Sequence, residues 1–206
     1  MNQEQIVSSV KDMELVQKRR QQMIKAAIQL FKEKGFHRTT TREIAKEAGF
    51  SIGTLYEYIR TKEDVLFLVC ESIYEQVYKR LEATIDLENP SVGHLLDVVE
   101  AYFRHMDDMQ EEVVIMYQEV KSLKNDTKEQ ILQKEHEMVG MLERVIVACL
   151  SDTIPRVDAQ LMANNIFVQG QMWGFRRWML QKQFSLDDYI HRQIQFIKNG
   201  LGIKKD

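Results

Sequence analysis

Apolar positions recur at three- and four-residue intervals along most of the chain. Val, Thr and Ile are not gathered into alternating runs, so the pattern predicts helices and no strands. Ile24, Ala27, Ile28 and Phe31 form one stripe, with Lys18, Arg19, Arg20, Lys25, Lys32 and Lys34 off it. This helix should run from about Met13 to Gly35, which caps it in the left-handed conformation. Thr40, followed three positions later by Glu43, forms a capping box that opens a short helix through TTREIAKEAG; Ile44, Ala45 and Ala48 face inward and Gly49 ends it. Ser51 then caps SIGTLYEYI, whose inner side is Ile52, Leu55 and Ile59. Two short helices joined by a tight Gly-containing turn make a helix-turn-helix. Thr61 and Asp64 open a long helix from Lys62 to Ile85, with Val65, Leu66, Val69, Ile73 and Val77 on its apolar side. Beyond the linker DLENPS, helices are expected over Val92 to Met109, Glu111 to Leu123 and Thr127 to Leu150, the last started by Asp126 with Glu129. After SDTIPRV come Asp158 to Lys182 and Leu186 to Leu201, Ser185 and Asp188 opening the latter. The reading is an all-α protein of about nine helices, with a three-helix first domain over 1–62 and a helical second domain over 63–206. Residues 1–12 are polar and unpatterned and read as a frayed tail.

Composition narrows the class. Two Pro, at 90 and 155, leave three long stretches that no proline breaks. Cys70 and Cys149 form no CxxC pair and no Cys/His cluster, which argues against a zinc site and a disulfide framework. The opening MNQEQIVSSVKDMEL is acidic where a signal peptide is basic and then apolar, and no uncharged apolar run approaches the roughly 18 residues needed to span a bilayer, so a cytoplasmic, membrane-free protein is expected. The formal net charge of -3 conceals an uneven distribution: the first 62 residues carry 12 basic and 7 acidic side chains, net +5, and the remainder 16 and 24, net -8. A basic head on an acidic body suggests polyanion binding at the head.

A short helix fits the major groove of B-DNA, while nearby hydroxyls, amides and cations fix it to phosphates. The outer positions of SIGTLYEYI are Gly53, Thr54, Tyr56 and Tyr58, suited to close backbone approach, phosphate hydrogen bonding and contact with a thymine methyl; half-buried packing is the plainer alternative for each tyrosine. Lys62, at a helix start, fits a phosphate clamp, with a merely solvated lysine as the alternative. Residues 24–66 closely resemble the N-terminal DNA-binding domain of TetR-family transcriptional regulators, through LFKEKGFHRTT, TTREIAKEAGFSIGTLYEYI and TKEDVL. Phe31, Gly35, Thr40, Ile44, Ala45, Gly49, Thr54, Leu55, Tyr56 and Lys62 carry the signature; Ile59 stands where most members have Phe, and Arg60 where Pro or Lys is common. The resemblance implies that Arg42, Ile52, Gly53 and Tyr56 approach bases and that Thr41, Thr54, Tyr58 and Lys62 approach phosphates, with Thr40 and Ser51 at the two helix starts among the DNA-facing set. Arg42 has the planar fork that fits the O6/N7 pair of guanine, whereas Ile52 can read only a methyl group or shape.

The same resemblance implies a C-terminal domain that dimerises and binds a small effector. Gly170 and Gly174 share a face of the penultimate helix where another helix can come close; Phe167 and Trp178 extend that face, and Ile190, Ile194, Ile197 and Leu201 stripe the last helix. Two such helices from each subunit would make a homodimer matched to a roughly palindromic operator, packing within one chain being the alternative. Phe103, Met106, Tyr117 and Trp173 are the apolar candidates for an effector site, and Gln118, Asn165, Gln169 and Arg176 the polar ones; a plain helical core uses the same residue types. A weaker resemblance to acyl-CoA-responsive members that control fatty-acid or sterol degradation implies a repressor released by a hydrophobic effector such as a fatty acyl-CoA. The alternative is a multidrug-sensing repressor in which Glu111, Glu112 or Glu119 neutralises a lipophilic cation. There is no Ser/His/Asp order, HExxH, phosphate loop or paired ExxH motif, and His37, His94, His105, His136 and His191 are scattered singly, so no enzyme activity, metal or cofactor is expected.

Overall fold

The computed structural model describes residues 13–150 and 154–201, so the frayed tail expected at 1–12 lies outside the described residues. These residues form ten α-helices and no strand: α1 (Met13–Lys34), α2 (Thr41–Glu47), α3 (Ile52–Tyr56), α4 (Lys62–Glu82), α5 (Val92–Asp108), α6 (Gln110–Glu119), α7 (Asn125–Leu150), α8 (Arg156–Phe175), α9 (Arg177–Leu180) and α10 (Leu186–Gly200), with a 3-10 turn at Val120–Ser122. The all-α reading holds, with one helix more than expected. The helix expected over Asp158 to Lys182 divides at Arg176, whose backbone (φ -105°, ψ 18°) leaves the helical well before α9 restarts. No proline stands there to announce the break.

The chain folds as two compact units, one comprising the residues up to Tyr74 with Ile115–Leu132, the other Glu75–Val114 with the residues from Gln133 onward. In the first unit, the core is built on Met23, Ala27, Phe31, Phe36, Ile44, Leu55, Ile59, Leu66 and Val69, each at most 4% exposed. Of the stripe expected on α1, Ala27 and Phe31 are buried, with Met23 and Ala26 beside them, while Ile24 and Ile28 are only half-buried. Local signals decide the ends of α1 and α2. Gly35 (φ 82°) and Gly49 (φ 77°) take the left-handed conformation that costs a glycine little. At α2 the Phe50 amide donates to the Ala45 carbonyl (2.8 Å) and the Gly49 amide to Lys46 (3.1 Å), a Schellman closure. α4 starts as expected: Asp64 Oδ2 accepts from the Arg60 and Thr61 amides (2.8 and 3.0 Å), and the Asp64 amide donates to Thr61 Oγ1 (3.3 Å).

In the second unit α5 packs against α8 and α10. Tyr102, Phe103, Phe167, Trp173 and Tyr189 fill the space between these three helices, all at most 4% exposed. The buried Tyr102 hydroxyl donates to the Phe167 carbonyl (2.9 Å), and desolvation raises its pKa well above the usual tyrosine value. Ser185 and Asp188 form the capping box expected for α10. Arg104 on α5 pairs with Glu100 (2.7 Å) and with Asp187 of α10 (2.9 Å). α7 begins at Asn125, two residues earlier than expected, and Thr127 Oγ1 donates back to the Lys124 carbonyl (3.0 Å).

Candidate nucleic-acid interface

α2 and α3 are short, and their positions depend on the core beneath them: Ile44, Ala45 and Leu55 are at most 1% exposed. Thr40 caps α2. Its hydroxyl donates to Glu43 Oε2 (2.8 Å) and its amide donates to the same oxygen (2.9 Å), while the Glu43 amide donates to Thr40 Oγ1 (3.3 Å). Glu43 also pairs with Lys34, and this bond, ahead of those from Thr40, holds its carboxyl down to about 2 from an ordinary 4.5. Ser51 caps α3, its Oγ accepting from the Thr54 amide (3.0 Å) and lying 3.0 Å from Thr54 Oγ1. The Thr40, Ser51 and Thr54 hydroxyls thus have local partners.

Arg42 and Gly53 are exposed, Thr41, Ile52 and Thr54 half-buried, and Tyr56 is 51% exposed. Tyr58 differs from expectation at 2% exposure. α3 ends at Tyr56 with Glu57 as its C-cap, and Tyr58, three positions after Leu55, turns into the core with it. Its phosphate-contact expectation is thereby weakened, and the packing alternative describes it. The Lys62 ammonium donates to the Phe36 and His37 carbonyls (2.9 and 3.3 Å) and lies 4.2 Å from the centre of the Phe36 ring, so it ties the first part of the α1–α2 loop to the start of α4. Two contacts in this unit went unread in the sequence: Thr41 Oγ1 lies 3.1 Å from the Tyr56 hydroxyl, and His37 Nε2 lies 3.4 Å from Glu119 Oε2. Both join residues too far apart in sequence for any helical spacing to signal them.

In the second unit the expected effector residues divide. Phe103, Met106 and Trp173 are buried, with Tyr189 stacked at a tilt between Phe103 (6.0 Å) and Trp173 (5.0 Å). Trp173 Nε1 donates to Asp107 Oδ1 (2.6 Å). Beside them the Gln169 carbonyl accepts from the Tyr189 hydroxyl, and Gln169 Oε1 is buried without a hydrogen-bond partner. Asn165 and Arg176 are exposed on the same unit, Arg176 lying 5.5 Å from the Trp178 ring centre. Tyr117 and Gln118 are exposed and belong to the first unit, so they do not join this cluster.

The expected dimer residues divide too. A Cβ on Gly170 would sit 2.4 Å from Tyr102 Cε1 and 3.1 Å from Met106 Cγ, and one on Gly174 would sit 3.3 Å from the Gln110 carbonyl oxygen. The close approach made by these glycines is therefore to α5 and α6 of the same chain, and the packing alternative is the observed one. Phe167, Ile190 and Ile197 are buried, Ile194 is half-buried and Trp178 is 63% exposed. The outward face of α8 carries instead Val157, Leu161 and Val168, 68, 61 and 55% exposed at positions i, i+4 and i+11.

Two family models match the chain: "Bacterial regulatory proteins, tetR family" over residues 23–69, and "Tetracyclin repressor-like, C-terminal domain" over 88–181. The chain is 32% identical over 188 residues to the HTH-type transcriptional regulator HbdR of Aromatoleum sp. strain CIB, covering 91% of this chain and 82% of that one. The chain belongs to the TetR family. Its fold matches that of a tetR-family regulatory protein from Rhodococcus RHA1, with a TM-score of 0.76 and 23% identity over 90% of this chain and 96% of that one. It also matches AibR, solved in complex with isovaleryl coenzyme A and operator DNA, with a TM-score of 0.68 and 18% identity over 86 and 97% of the two chains.

As a TetR-type transcriptional regulator, the protein is a DNA-binding protein and not an enzyme. Every candidate DNA contact, from Thr40 to Lys62, falls inside the N-terminal family match, and the aromatic cluster of α5 and α8 falls inside the C-terminal one. Among the described residues no helix is long and apolar enough to cross a membrane.

Proposed function

We propose that this TetR-type regulator is a repressor that binds a palindromic operator as a homodimer and is released by a small hydrophobic effector, a fatty acyl-CoA. The operator-contacting surface ends at Lys62, and its base readers are Arg42, Gly53 and Tyr56, all exposed on helices whose inner faces are fixed in the core. That exposure over a buried base is the observation that carries the DNA reading, because a base-edge contact needs an accessible side chain on a held backbone, as at Arg42 and Tyr56, and Gly53 lets the backbone between them come close. For the dimer, we assign the outward stripe Val157, Leu161 and Val168 to a second copy of the chain, since an apolar face of this kind is covered in a stable assembly.

The effector belongs to the aromatic cluster around Trp173, and its head group to the exposed Arg176 beside Trp178. The complex of AibR with isovaleryl coenzyme A supports a thioester of this kind. The competing lipophilic cation is less well served: Glu111 lies 3.9 Å from Arg177 and Glu119 3.4 Å from His37, so two of its candidate partners already face basic side chains. A releasing ligand must bind the non-binding arrangement more tightly, and by linkage operator DNA must weaken its affinity by the same factor. The test is fluorescence anisotropy on an operator duplex titrated with isovaleryl-CoA, palmitoyl-CoA and a lipophilic cation dye. One of the thioesters should abolish operator binding; release by the dye alone would overturn the acyl-CoA reading.

A further inference from the structure

Tyr56 ends α3 with half its surface exposed, yet Leu55 before it and Tyr58 and Ile59 after it are buried at 0, 2 and 1%. The backbone at this end of α3 is therefore fixed, and the torsions of the Tyr56 side chain are the freedom that remains. The contact with Thr41, whose Oγ1 lies 3.1 Å from the Tyr56 hydroxyl, limits that freedom across 15 residues of sequence. Thr41 is the first residue of α2. Inside a helix a threonine hydroxyl commonly turns back to a carbonyl three or four residues earlier. At the first position no helical turn lies behind it, and here the hydroxyl meets α3 instead. The two hydroxyls hold two protons between them. One lies in the contact, whichever atom donates, and the other is left to donate outward. The neighbouring hydroxyls are engaged within their own helices, Thr40 with Glu43 and Ser51 with Thr54.

We propose that Thr41 is a positioning residue for Tyr56, and that this hydroxyl pair sets part of the base preference of the head. The inference rests on the reading of α2 and α3 as the operator-contacting surface. It gives Thr41 a role different from that of a phosphate anchor. A phosphate contact adds to affinity for every duplex and to the salt dependence, whereas a positioning residue matters only where Tyr56 meets its base.

The experiment uses the full-length protein, an operator duplex selected from a random pool by the wild type, and a random-sequence duplex, each titrated at several salt concentrations. The variants are Thr41→Val, which keeps the shape and removes the hydroxyl, Tyr56→Phe, the double variant and Arg42→Ala, with thermal melting as the folding control. Thr41→Val and Tyr56→Phe should each lower the operator-to-random affinity ratio by about three- to tenfold, the range expected for one hydrogen bond. The double variant should be no worse than either single one, and the salt slope should stay as in the wild type. Equal loss on both duplexes with a salt slope smaller by about one, additive with Tyr56→Phe, would make Thr41 a phosphate anchor and overturn the proposal. An unchanged ratio for Thr41→Val overturns it as well. In that case a ratio still lowered by Arg42→Ala leaves the operator surface standing, and one that is not lowered removes both.

Discussion

Glu43 shows how a single exposed side chain can report on the head. Its carboxyl sits near 2 because Lys34 and the Thr40 hydroxyl and amide all favour the anion. A depressed carboxylate contributes its stabilisation in full above its ordinary value of 4.5, loses it as pH falls toward 2, and has none below. A carbon-13 titration of the Glu43 carboxyl should therefore show a midpoint near 2, and Thr40→Ala should move it upward; a midpoint at the ordinary value would mean the cap is not formed in solution. This capping box was legible in the sequence because its members are three residues apart and the interaction is local. Tyr58 was not legible in the same way. Its side depends on α3 stopping at Tyr56, and helix ends are the least certain feature of any periodic pattern.

At the scale of elements, the glycines of α8 make the same point. The spacing of Gly170 and Gly174 identified a face of close approach, but spacing does not say which helix approaches, and the structure assigns α5 and α6. Gly170→Ala must push its Cβ against the Tyr102 ring, and Tyr102 is held by its bond to the Phe167 carbonyl. A loss of about 1–3 kcal/mol in thermal or denaturant unfolding is expected from such overpacking, with the oligomeric state unchanged. Gly174→Ala should cost less, since its contact is a 3.3 Å approach to one carbonyl oxygen. If Gly170→Ala instead split the proposed dimer with stability intact, the glycine face would belong to the partner after all.

For the whole molecule, the outward face of α8 makes the proposed dimer testable. Leu161→Glu places a charge in the middle of the Val157, Leu161 and Val168 stripe, which the folded chain leaves exposed, so sedimentation should show a folded monomer that has lost most of its operator affinity. A dimer unmoved by this change would shift the interface elsewhere. At this scale the sequence conveyed the all-α class and the family, because helical periodicity and the helix-turn-helix signature are contiguous. The composition of the first unit is different in kind. It takes in Ile115–Leu132, where Ile115, Met116, Leu123 and Ile131 are buried, Glu119 meets His37, and Lys124 lies 3.8 Å from Asp64. The head is thus assembled from two stretches of chain separated by 40 residues. A hybrid regulator built by splicing this head onto a foreign body at the α4–α5 linker would leave the whole Ile115–Leu132 stretch behind; the graft has to carry the α6–α7 corner too.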